Sequence, residues 1–140
     1  NAALSDLGSR TGRMPWREIR QQSARLLERF DVRASGIDAR GRDLSGGNQQ
    51  KFVLGRELEG SPALVIAENP TRGLDIRATE AVQRQLQRAK ESGAAVVLYS
   101  SDLDEVLTIA DRVLVVHDGR VREVSPPNRE SVGRAMLGAS

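Results

Sequence analysis

The chain has 140 residues, enough for one modest core, and its 39% hydrophobic and 29% charged residues mark a globular protein rather than a disordered one. With no cysteine and a single histidine, a disulfide framework, a thiolate metal site and a histidine metal cluster are all excluded. The net charge is +2, and the basic residues are almost all arginine, since lysine occurs only at Lys51 and Lys90; the arginines are scattered among acids without aromatic neighbours, so no nucleic-acid partner is expected.

Residues 1–15 are polar, hold Gly8, Gly12 and Pro15, and read as a loop; residues 1–10 lack the basic-then-apolar pattern of a signal peptide. Residues 16–30 read as an amphipathic helix with Trp16, Ile19, Leu26, Leu27 and Phe30 near one face. Residues 31–43 form a connector. A second helix is expected from Ser45 to about Glu59, stopped by Gly60-Ser61-Pro62. Residues 63–67 and 94–100 are short apolar runs that suit buried strands, with a helix over 78–92 between them ended by Gly93. Ser101 with Asp104 has the spacing of a capping box and opens a short helix to Ala110. Two valine-rich runs flank Asp118-Gly119, a hairpin signal, and Asn128 is placed to cap a last helix ending near Leu137. No apolar run approaches the ~20 residues that span a bilayer. Strands alternating with helices imply an α/β protein with a parallel sheet, preceded by an all-helical section.

The octet Leu44-Ser45-Gly46-Gly47-Asn48-Gln49-Gln50-Lys51 places two glycines at the start of a helix. Glycine lets backbone N–H groups come close to an anion, the helix start carries partial positive charge, and the Ser45 hydroxyl adds a donor. A serine N-cap after a flexible turn explains Ser-Gly-Gly equally well. The complete octet, however, resembles the signature motif of ABC transporter ATPases, in the form found in importers of simple sugars and nucleosides. Residues 64–69 fall where the Walker B strand of that family belongs. Pro70-Thr71-Arg72-Gly73-Leu74-Asp75 resembles the segment leading into the D-loop, and residues 100–107 with Asp111-Arg112-Val113 resemble the switch region. Four motifs in the family's order make the resemblance specific, and it covers residues 16–138.

The resemblance implies a partial P-loop NTPase fold of the ABC cassette type: a helical signature subdomain in residues 1–60, and in residues 61–140 the C-terminal part of the α/β ATPase core with a truncated parallel sheet. It implies ATP and Mg²⁺ as ligands of the longer protein. The G-x-x-x-x-G-K-[S/T] loop that cradles nucleotide phosphates is absent from the sequence, so the chain alone is expected neither to bind ATP tightly nor to hydrolyse it. Ser45, Gly46, Gly47 and Gln49 would then meet the phosphates of an ATP held in trans by a partner cassette, with Asp75 at the cassette interface.

Three positions depart from the family. Its Walker B strand ends in Asp-Glu, where this chain has Glu68-Asn69. Glu68 keeps the charge that holds magnesium through water; Asn69 has no carboxylate and cannot act as a general base. Asn69 also suits a turn before Pro70. Ser101 stands where the family has the switch histidine, and is placed equally well to cap a helix. Glu68, Asn69 and Ser101 thus suggest a degenerate hydrolytic site, as in the second cassette of tandem-cassette importer subunits. The resemblance further implies transmembrane permease subunits as partners and a peripheral position on the cytoplasmic face of the inner membrane. Two alternatives stand beside the importer reading: a non-catalytic regulatory cassette, and a soluble ABC protein not linked to transport.

Overall fold

The computed structural model describes residues 14–139, so the signal-peptide reading of residues 1–10 and all but the last two residues of the loop expected over residues 1–15 lie outside the described part. The elements are α1 (Trp16–Arg29), a 3-10 turn (Gly41–Asp43), α2 (Gly46–Leu58), β1 (Leu64–Glu68), α3 (Ile76–Glu91), β2 (Ala95–Tyr99), α4 (Leu103–Ile109), β3 (Val113–His117), β4 (Arg120–Val124) and α5 (Arg129–Met136). This is the expected order. The chain forms two compact units, one with the described residues up to Val65 and Pro70–Val96, the other with Ile66–Asn69 and the residues from Val97 onward.

The first unit is built on three helices. In α1, Ile19 and Leu26 are buried, with Phe30 beyond the helix end, as a 3.6-residue period requires. Trp16 departs from the expected apolar face and is 62% exposed. It is the first helical residue, and a helical side chain leans toward the N-terminus, here beyond the packed stripe. Leu26, Phe30 and Val32 form a core cluster with Leu44, Phe52 and Leu58 against it. Gly55 permits the α1–α2 approach: a Cβ there would lie 2.8 Å from Phe30 Cδ2 and 3.2 Å from Leu26 Cδ2. The α3 helix buries Ala78, Val82 and Leu86, spaced by four along one stripe, and packs on α2.

The strands β1 and β2 form a two-stranded pair. They run in the same direction: Ala95 N–H donates to Ala63 O at one end (2.8 Å) and Asn69 N–H to Tyr99 O at the other (2.7 Å). The expectation of fully buried strands needs correction. Val65 and Ala67 are buried, whereas Leu64, Ile66, Val97 and Tyr99 are exposed. Successive strand residues point to opposite faces, and the described residues cover only one of them.

In the second unit, β3 and β4 pair antiparallel, with Val113 opposite Val124 and His117 opposite Arg120. The turn residues Asp118 and Gly119 both have positive φ, 46° and 72°, the geometry that Asp-Gly favours in a two-residue hairpin. Val113, Val115, Val124, Val132 and Ala135 form the core, flanked by Leu103, Val106 and Leu107 of α4. Asn128 caps α5 in a reciprocal capping box with Ser131. The cap of α4 is Asp102 rather than Ser101: its carboxylate accepts from the N–H groups of Asp104 and Glu105. At the hairpin mouth Arg112 makes a two-pronged bond to Glu123 at 2.9 and 2.6 Å, which holds the Glu123 carboxyl below its usual range.

Gly55→Ala forces a methyl into the Phe30 ring and is expected to lower stability by about 1–3 kcal/mol, read as an earlier urea midpoint at unchanged slope.

Candidate functional site

The candidate site residues fall in both units, and each group is described within its own. In the first unit, Ser45 occupies the N-cap position of α2 in extended backbone, with ψ 155°, yet its side chain makes no capping hydrogen bond. Ser45 Oγ instead accepts from Asn48 Nδ2 at 2.9 Å, and Asn48 Oδ1 accepts from the Arg33 N–H at 2.8 Å. Gln49 Nε2 donates to Leu44 O at 2.9 Å. Lys51 Nζ reaches Asp31, donating to its backbone O at 3.0 Å and to Oδ2 at 2.8 Å. Thus Asn48, Gln49 and Lys51 hold the turn together and tie it to residues 31–33.

What faces outward is the start of the helix. An α-helix leaves its first N–H groups without intrahelical partners, and α2 has no acidic residue in its first turn to compete for them. Gly46 has no atom within 4 Å of where a Cβ would stand. Gly47 is different: its Cβ would lie 3.0 Å from Ala78 Cβ, so this glycine lets α2 sit on α3. The Ser45 hydroxyl and the Gly46 and Gly47 N–H groups form a donor cluster suited to phosphate oxygens. Of the four expected ligand residues, Gln49 has its side-chain amide N–H engaged by Leu44 O.

Asp75, also in this unit, is the N-cap of α3, and its Oδ1 accepts from Ala78 N–H at 2.8 Å. The sequence reading missed this capping role, although Asp three residues before Ala78 at a helix start is its usual signature.

In the second unit, Glu68 is the last, exposed residue of β1. No group of three or more His, Cys, Asp or Glu side chains placed to hold a metal ion occurs among the described residues. Asn69 follows with φ 42°, in the left-handed region that Asn tolerates well, so its place as a turn residue before Pro70 is clear. Its Oδ1 accepts from the Ser101 N–H at 2.9 Å, bringing these two predicted residues together. Ser100 Oγ donates to Glu105 Oε2 at 2.5 Å and accepts from Asp102 N–H at 3.0 Å. Glu105 is buried, at 4% exposure, and was not singled out from sequence. Its neighbours Asp102 and Asp104 are exposed acids of the same kind, and only packing separates it from them.

No protein-family model matches the chain. It is 38% identical over 135 residues to the nucleoside import ATP-binding protein NupA of Lactococcus lactis, covering 94% of this chain and 27% of that protein. It is 41% identical over 123 residues to the ribose import ATP-binding protein RbsA of Bacillus cereus, covering 86% of this chain and 25% of that one. The chain therefore spans about a quarter of the length of these relatives. Among solved structures it superposes on the dimeric ATP-binding cassette MJ0796 bound to ADP and Pi with a TM-score of 0.70 at 25% identity, covering 87% of this chain and 54% of that one. The α/β elements are thus those of an ABC ATPase cassette.

The Lys51 bond, reinforced by its charge, holds the Asp31 carboxyl below its ordinary value. A lowered folded value means that the tether stabilises the fold above Asp31's unfolded value and is lost as pH falls through the folded one. An NMR titration is expected to place the Asp31 midpoint low in the native chain and to return it upward in Lys51→Met.

Proposed function

This chain belongs to the ABC family of ATP-binding cassettes, and on that premise we propose that it is part of the ATP-binding subunit of an importer for simple sugars or nucleosides. Its role there is to present the signature turn to an ATP molecule held by a partner cassette. The observation that carries this reading is the uncapped start of α2: Ser45 Oγ is turned to Asn48, and the first-turn N–H groups remain available beside an unobstructed Gly46. Preorganised donors aimed at phosphate oxygens stabilise the charge that develops there during phosphoryl transfer. Ser45, Gly46 and Gly47 carry that role. Gln49 supports them from behind through Leu44, and Asp75 lies at the cassette interface while capping α3.

The second group serves a weak site. Glu68 offers a single carboxylate toward magnesium, and Asn69 and Ser101 bring no general base and no imidazole to the positions where the family carries them. This division makes the cassette a partner that completes another active site rather than a hydrolase in its own right. The helical section, residues 16–59, faces the transmembrane permease subunits in this reading, and the subunit works at the cytoplasmic surface of the membrane. No helix among the described residues is long and apolar enough to cross a membrane. Two of the relatives are named for nucleoside and ribose import, which supports this substrate class.

Isothermal titration calorimetry of the 140-residue chain with Mg-ATP is expected to show no binding; micromolar binding would sink the in-trans account. In the full-length subunit, Ser45→Arg fills the donor cluster with a bulky side chain and is expected to abolish transport-coupled ATPase activity. Retention of wild-type turnover would remove the signature turn from the mechanism.

A further inference from the structure

The position where the family resemblance places a catalytic acid has a different occupation here. We infer that Asn69 is a positioning residue that clasps the switch segment, and that a short side chain with an acceptor oxygen, not the longer carboxylate of Glu, is what this turn requires. Three observations converge. Asn69 has φ 42°, a left-handed backbone that Asn adopts more readily than Glu does. Its own N–H is bound to Tyr99 O at 2.7 Å, so its backbone already joins the end of β2. Its Oδ1 accepts from the Ser101 N–H at 2.9 Å, two residues further along the same strand exit.

Asn69 therefore holds both Tyr99 and Ser101, one through backbone and one through side chain. Between them Ser100 is held separately, by Glu105 Oε2 at 2.5 Å. Every residue from Tyr99 to Ser101 is thus fixed by a named partner, and the Ser101 hydroxyl is carried on a segment with little freedom. The clasp depends on side-chain length. Asp has the same reach and an acceptor oxygen, and also tolerates left-handed backbone. Glu is one methylene longer and disfavours that backbone, so restoring the family's acid breaks the clasp. That Ser101 then meets a phosphate rests on the reading proposed above; the clasp itself does not.

Amide hydrogen exchange of Ser101, followed by NMR in the 140-residue chain, tests the clasp without nucleotide, so its failure is separable from failure of the ATP-site reading. Asn69→Gly keeps the left-handed backbone and removes the acceptor; Ser101 exchange is expected to rise about five- to tenfold, the size of one lost hydrogen bond. Asn69→Asp is expected to retain protection, and Asn69→Glu to lose it. The amide of Val115, in the core of the same unit, reports whether a variant remains folded. Should Asn69→Gly lose protection at Val115 as well, the contrast between Asn69→Asp and Asn69→Glu decides the matter. Unchanged Ser101 exchange in a folded Asn69→Gly chain, or equal exchange in the Asp and Glu variants, overturns the inference.

Discussion

A helix start can be closed by its own cap or left open for a ligand, and the Asn48 side chain decides which of these α2 does. By donating to Ser45 Oγ and accepting from the Arg33 N–H, Asn48 engages the serine oxygen, which makes no capping bond, and anchors the turn to the preceding connector. Were Ser45 to cap α2, its oxygen would engage the N2 or N3 donor, and fewer donors would be left for the phosphate role proposed above. The other polar residues of the octet act in the same sense. Gln49 braces Leu44 and Lys51 braces Asp31, so the charged and amide side chains hold the turn while backbone donors face outward.

This arrangement depends on close helix packing, and close packing depends on glycine. Gly47 gives α2 room against Ala78 of α3, and Gly55 gives it room against Phe30 beyond α1. A methyl group at either position would move the helix whose start forms the candidate site. The two glycines of the signature turn thus serve different ends: Gly46 keeps the approach open and Gly47 sets the helix in place.

The second unit uses short polar bonds for a related purpose. Asn69, Ser100, Asp102 and Glu105 connect the end of β1, the exit of β2 and the first turn of α4 through side-chain contacts. The chemistry available at Glu68, Asn69 and Ser101 is correspondingly poor in general-base capacity and rich in positioning. That balance fits the role proposed above for this cassette.

Most of the element order was legible in the sequence, because periodicity and punctuation are local properties. Asp118-Gly119 forced the hairpin through positive φ, Asn128 capped α5, and the aliphatic spacing of Val82 and Leu86 marked the buried stripe of α3. The ABC resemblance was likewise written in the octet and in the three motifs after it. Other features depended on which groups tertiary structure brings together. Trp16 and the alternate residues of β1 and β2 have apolar side chains, yet exposure follows from the face on which they stand. Ser101 and Asp102 are both good caps by type, and in the structure it is Asp102 whose carboxylate meets the first-turn N–H groups of α4. The Asn69–Ser101 bond joins residues far apart in sequence, and the burial of Glu105 follows from the packing of α4. The sequence by itself determined the family, the elements and the residue types at the site. Tertiary structure alone decided which polar atoms are engaged and which remain free, because a hydrogen bond depends on distance and direction, which residue type does not contain.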